Sequence, residues 1–114
     1  MNYKVSFTTQ FTAAAKRLSK RHRSFLDDFT TFKESLQANP YQGVEIAPNI
    51  RKIRMAVTSK GRGSSGGIRV ITATTVISES EGRIGFLYIY DKADASNVKI
   101  NVIKQMAREL GFEV

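Results

Sequence analysis

Two neighbouring stretches constrain this chain more than any other feature. Residues 68–77 (Ile-Arg-Val-Ile-Thr-Ala-Thr-Thr-Val-Ile) are almost wholly β-branched or small, and residues 84–90 (Ile-Gly-Phe-Leu-Tyr-Ile-Tyr) are nearly continuously apolar. Branched and aromatic side chains suit a pleated surface, and an unbroken apolar run of this length suits a strand covered on both sides. Glu79-Ser80-Glu81-Gly82 supplies a turn between them. A long antiparallel pair is therefore predicted at the centre of the domain.

The other elements assemble around that pair. Tyr3, Val5 and Phe7 alternate with Lys4 and Ser6, the mark of a half-buried strand. Phe11, Ala14, Ala15 and Leu18 recur at helical spacing. A second helix is predicted to open at Ser24, with Asp27 three residues on as a weak capping box, to carry Phe25, Phe29, Phe32 and Leu36 on one face, and to stop at Asn39-Pro40. The phenylalanines read as core, not as a base-stacking array. Residues 40–48 are rich in turn formers and read as a loop. In Arg51-Lys52-Ile53-Arg54-Met55-Ala56-Val57, the residues Ile53, Met55 and Val57 alternate with Lys52 and Arg54, giving another strand. Ser96 is the expected cap of a last helix with Val98 or Lys99 early and Ile100, Ile103, Ala107 and Leu110 on its stripe, ended by Gly111. The predicted order is β-α-α-β-β-β-α over residues 1–114. This is a single two-layer α+β domain, with helices on one side of an antiparallel sheet.

With 114 residues there is room for one core and no second catalytic domain. No apolar run is long enough to cross a bilayer, and Met1-Asn2-Tyr3-Lys4-Val5 has no signal-peptide pattern, so a cytoplasmic location is expected. Zero cysteines exclude disulfides and thiolate metal sites, and one histidine, His22, leaves no material for a zinc site or a Ser-His-Asp triad. Neither metal nor cofactor is expected, and any chemistry falls to Lys, Arg, Tyr, Ser, Thr or a carboxylate. Lys and Arg number 18 against 10 Asp and Glu, a formal charge of +8. Such an excess repels itself in a folded domain and points to a polyanionic partner, RNA before a membrane surface.

Gly61-Arg62-Gly63-Ser64-Ser65-Gly66 has the letters of a dinucleotide-binding fingerprint, but a β-branched strand follows where that motif needs a helix N-terminus, so the cofactor reading is rejected. The stretch reads instead as a hairpin loop whose glycines let Lys60 and Arg62 approach a phosphodiester closely. Strand alternation allows Arg54 and Arg69 to share a face beside that loop, where converging cations would clamp a scissile phosphate and stabilise a pentacoordinate transition state. The plain alternative for Arg69 is a solvent-facing or paired charge. Tyr90 and Lys92, at the end of the last strand, suit base stacking and proton transfer, or simply a core aromatic and a solvated end charge. Lys16, Arg17, Lys20, Arg21 and Arg23 gather at the junction of the first two helices, where backbone contacts to structured RNA outweigh a merely solvated face. With Lys52 and Arg54 they make up the expected RNA-binding set. His22 is expected to be exposed and without a catalytic role.

Arg51-Lys52-Ile53-Arg54, then Lys60-Gly61-Arg62-Gly63-Ser64-Ser65-Gly66-Gly67-Ile68-Arg69-Val70-Ile71, then Leu87-Tyr88-Ile89-Tyr90-Asp91-Lys92, together resemble the RelE/HigB-like toxins of bacterial type II toxin–antitoxin systems. The likeness extends over nearly the whole chain. It implies the RelE-like fold and a metal-independent endoribonuclease (an mRNA interferase) that enters the ribosomal A site and cuts mRNA, the ribose 2′-oxygen attacking the phosphate and the 5′-oxygen leaving. Carried over position by position, it implies that Arg69 holds the non-bridging oxygens and that Lys60 and Arg62 neutralise them. Tyr90 orients or stacks on the nucleotide, Lys92 stands near the leaving group, and Arg54 supports the site. The chain departs from the family pattern at Pro48-Asn49-Ile50 and at Asp91, positions where glycines are common, and an acid at 91 is expected to weaken the local positive field.

The implied partners are the 70S ribosome with its mRNA and a cognate antitoxin, one form of which is HigA-like with a helix-turn-helix. Two other functions suit the same fold. One is a ParE-like inhibitor of DNA gyrase, and the other is a non-catalytic RNA- or ribosome-binding module.

Overall fold

The computed structural model describes residues 1–60, 67–94 and 98–114, with Lys60 described by its backbone alone. Arg62 and Ser96 lie outside the described residues. The elements are β1 (Asn2–Phe7), α1 (Thr9–Arg21), α2 (Phe25–Ala38), β2 (Val44–Ala47), β3 (Ile50–Met55), a 3-10 turn (Thr58–Lys60), β4 (Ile68–Val76), β5 (Glu81–Asp91) and α3 (Ile100–Glu109). They form a mixed α+β fold around a five-stranded sheet in the order β1-β5-β4-β3-β2. β4 and β5 lie antiparallel at its centre, β5 begins already at Glu81, and β1 runs parallel to β5 at one edge. No described helix is long and apolar enough to cross a membrane.

Three expectations about the sheet and its layers are corrected here, the first being an all-antiparallel sheet, since β1 pairs with β5 in parallel. The sheet has a fifth strand, because Val44–Ala47, placed in the 40–48 loop by its turn formers, pairs antiparallel with β3. A four-residue edge strand with a register shift needs hydrogen bonds on one side only, which tolerates Gly43 and Pro48 at its ends. The helices also do not share one side. Phe11, Ala14 and Leu18 of α1 with Phe25 and Leu36 of α2 pack on Ile53, Met55, Ile68, Val70, Ile84 and Phe86. Ile103, Met106 and Ala107 of α3, with Phe112, pack on Ile50, Ile71, Ala73 and Leu87. Both faces of β4 are apolar, so both must be covered, and each layer takes a share.

Register explains the apolar run in β5. Ile71 pairs with Tyr88 but Thr72 pairs with Phe86, leaving Leu87 as the extra residue of a bulge. Before the bulge, Ile84 and Phe86 face α1 and α2; beyond it, Ile89 takes that side, and Leu87 and Tyr90 join the α3 cluster. Gly85 has a packing role, since a Cβ there would lie 2.6 Å from the Phe112 ring that rests on the sheet.

The three helices are closed in different ways. Thr8 is buried, its Oγ1 accepts from the Phe11 amide at 2.9 Å and donates to the Leu87 carbonyl at 2.6 Å, so one side chain caps α1 and ties it to β5. Ser24 stands at the cap position of α2 but makes no side-chain capping bond, and the box with Asp27 does not form. Its hydroxyl instead donates to Asp28 Oδ2 at 2.6 Å and meets Ser59 Oγ at 2.9 Å. α3 starts later than expected, with Lys99 as its cap and Val98 outside it. Gly111, at φ 87°, ends it.

Candidate phosphodiester site

The site is built from a row of residues across three strands. Arg54 of β3 pairs with Arg69 of β4, and Arg69 pairs with Tyr90 of β5. Residues opposite one another in an antiparallel ladder project to the same face, so the row lies on the α3 side, beyond the end that α3 covers. Lys52, opposite Ile71, shares the face one step along β3. The expectation that Arg54 and Arg69 share a surface is met.

Gly67 shows how closely they meet. It is buried at φ 61°, and a Cβ placed on it would sit 3.1 Å from Arg54 Nε and 3.1 Å from Arg69 Nη1. Two guanidinium nitrogens that close to one point lie within twice that distance of each other. Two guanidinium groups held this close suit a phosphate, whose oxygens accept several charge-assisted bonds at once.

The described residues that flank positions 61–66 are held on both sides of this pair. On its near side the Thr58 amide donates to Asp28 Oδ2 at 2.9 Å and the Ser59 amide to Ser24 Oγ at 2.9 Å, fixing the Thr58–Lys60 turn to the start of α2. On its far side the Lys92 amide donates to the Gly67 carbonyl at 3.0 Å, so Lys92, which is exposed, leaves the sheet beside the arginine pair. The side chain of Lys60 and the whole of Arg62 fall outside the described residues. Tyr90 is only 6% exposed and belongs to the α3 cluster, while Tyr88 beside it is half-buried, with ring centroids 6.1 Å apart.

The acid at position 91 does not face the arginine row. Asp91 pairs with Ile68, whose side chain lies in the α1/α2 cluster, and is 2% exposed. Its Oδ2 lies 3.4 Å from His22 Nε2 and 3.7 Å from Arg21 Nη1, and its Oδ1 accepts from the Ala93 amide at 3.0 Å. Asp91 thus lies on the opposite face of the sheet from Arg69. His22 corrects an expectation: its side chain is 10% exposed, because the residue that closes α1 turns inward against the end of β5. Nothing local in the sequence signals this contact, since the partners are some 70 residues apart.

Lys16, Arg17, Lys20, Arg21 and Arg23 are all exposed, as the RNA-facing reading requires. They are not equivalent. Arg21 Nη1 donates to Asp94 Oδ2 at 2.6 Å, and that carboxylate raises the guanidinium above its ordinary pKa, so Arg21 braces α1 against the turn after β5. Among the described residues no cluster of His, Cys, Asp or Glu side chains could hold a metal ion.

Compared with known proteins, the chain matches no family model and no curated sequence.

Proposed function

We propose that this chain is a RelE/HigB-like toxin that cuts mRNA in the ribosomal A site. The observation that carries the reading is the convergence of Arg54 and Arg69 over Gly67. A phosphodiester seated there places its non-bridging oxygens on Arg69 and Arg54, where fixed cations favour the extra charge of a phosphorane over the ground state. The 2′-oxygen loses its proton and attacks phosphorus, the bond to the 5′-oxygen breaks, and that oxygen takes up a proton. A 2′,3′-cyclic phosphate and a 5′-hydroxyl result. Lys60 and Arg62 come from the loop to neutralise the phosphate, Lys92 stands on the leaving-group side, and Tyr90 forms the wall against which the nucleotide is oriented. Lys52 and the exposed cations of α1 extend the positive surface along the RNA.

The test is primer extension on translated mRNA after induction, with wild type and Arg69→Ala. The reading expects cuts on ribosome-bound mRNA that Arg69→Ala abolishes. Inhibition of gyrase supercoiling with intact mRNA overturns it in favour of a ParE-like activity, and ribosome binding with intact mRNA overturns it in favour of a non-catalytic module. The neighbouring reading frame is a second check, since the toxin reading expects an antitoxin encoded there.

A further inference from the structure

Between α1 and the C-terminal half of β5 runs a groove of about 280 Å³, with Ala14, Arg17, Leu18 and Arg21 on one wall and the strand from Tyr88 to Asp91 on the other. It exists because β1 stops short. Phe7 pairs with Phe86, and beyond that point no described strand covers this edge of β5. Lys92 donates to Gly67, so alternation turns the backbones of Tyr90 and Tyr88 toward β4, and Ile89, which also lines the groove, is fully buried. Tyr88 and Tyr90 stack along its rim with an interplanar angle of 27°. The two arginines differ in availability: Arg21 is engaged by Asp94 and Asp91, whereas among the described residues no carboxylate lies within ion-pair distance of the exposed Arg17.

We propose that this groove is a nucleobase subsite for single-stranded RNA. A base packs on the ring of Tyr88, and the adjoining phosphate lies at Arg17. An aromatic ring beside a cation, in a groove also lined by Ala14 and Leu18, is what a nucleotide presents partners for. The subsite rests on the phosphodiester reading for its setting, because Tyr90 lies between the groove and Arg69, so the base held here belongs to a nucleotide next to the scissile phosphate.

The experiment is fluorescence anisotropy with a short labelled oligoribonucleotide, 2′-O-methylated so that it cannot be cut, and a series in which each position in turn is abasic. Tyr88→Leu and the surface change Arg17→Gln should each weaken binding about tenfold, the usual loss for one stacked base. One abasic position should weaken the wild type equally and add nothing to Tyr88→Leu. Wild-type affinity in both variants, or a Tyr88→Leu loss that adds to every abasic loss, overturns the subsite. Arg69→Gln separates the two readings. If it leaves affinity untouched while the Tyr88 cycle holds, the phosphate site fails and the subsite stands, and if wild type binds no oligonucleotide at all, the subsite fails while cleavage of translated mRNA still decides the toxin reading.

Discussion

Replacing Gly67 by alanine puts a methyl group where two guanidinium groups now meet. The structure separates two costs. The first is backbone strain: at φ 61°, an L-residue with a Cβ is disfavoured by about 1–2 kcal/mol. The second is local displacement, because a Cβ at 3.1 Å from both Arg54 Nε and Arg69 Nη1 forces those groups outward by a few tenths of an ångström. Moving them off a bound phosphate forfeits at least one charge-assisted hydrogen bond, about 1.5–3 kcal/mol, which lowers affinity or cleavage roughly ten- to hundredfold. Gly111 provides the control, since it has a similar φ of 87° but its nearest neighbour, Arg83 Nη1, would lie at a comfortable 3.8 Å. Gly111→Ala should therefore lose stability like Gly67→Ala, a few degrees in melting temperature, yet keep RNA cleavage in the translated-mRNA assay. Gly67→Asn completes the set, because Asn tolerates this backbone conformation better but still carries the methylene; it should melt closer to wild type and remain impaired in cleavage. Full activity in Gly67→Ala at a temperature where it is folded, or equal loss in Gly111→Ala, refutes the reasoning.

Three further outcomes follow from the same geometry. Arg54→Gln and Arg69→Gln should each weaken RNA binding similarly for all sequences and lower the steepness of its salt dependence by about one phosphate contact; an unchanged slope argues against phosphate as their ligand. Asp91→Asn keeps the shape of the buried acid but removes the charge facing Arg21 and His22, and thermal melting should show a loss of about 1–3 kcal/mol, whereas wild-type stability denies that this contact braces the end of β5. The Tyr3 phenol is held above the ordinary 10.0, first by the Tyr41 hydroxyl beside it and then by burial. A group that binds its proton more tightly when folded contributes fully below the ordinary value and ceases to contribute as pH rises through the folded one. The stability gap between wild type and Tyr41→Phe should therefore shrink in alkaline solution, and a gap that does not change with pH contradicts it.

How far the residues themselves revealed the fold depends on how local each signal was. The alternation in Lys52-Ile53-Arg54-Met55 and the β-branched stretch from Ile68 placed β3 and β4 almost to the residue, because a strand's two faces are written at a spacing of two. The Phe11, Ala14, Leu18 stripe did the same for α1, and Gly111 for the end of α3. What escaped was non-local. β2 is a four-residue edge with its own turn formers, and the parallel partnership of β1 with β5 joins residues nearly 80 positions apart. No period reports which side of a sheet a helix will take, so α3 could not be assigned a face.

The candidate site divides along the same line. Its ingredients, a charge of +8, a glycine-hinged Lys-Gly-Arg loop, Arg54 and Arg69 one step inside adjoining strands, and no cysteine, follow from residue types and spacing alone. Tertiary pairing decided the rest: that the ladder sets Arg54 opposite Arg69 over Gly67, that Asp91 turns away toward His22, and that one extra residue in β5 moves Leu87 and Tyr90 to the α3 side. A side chain's identity fixes which charge it brings, but its direction in a sheet depends on register, and register is a property of two strands together.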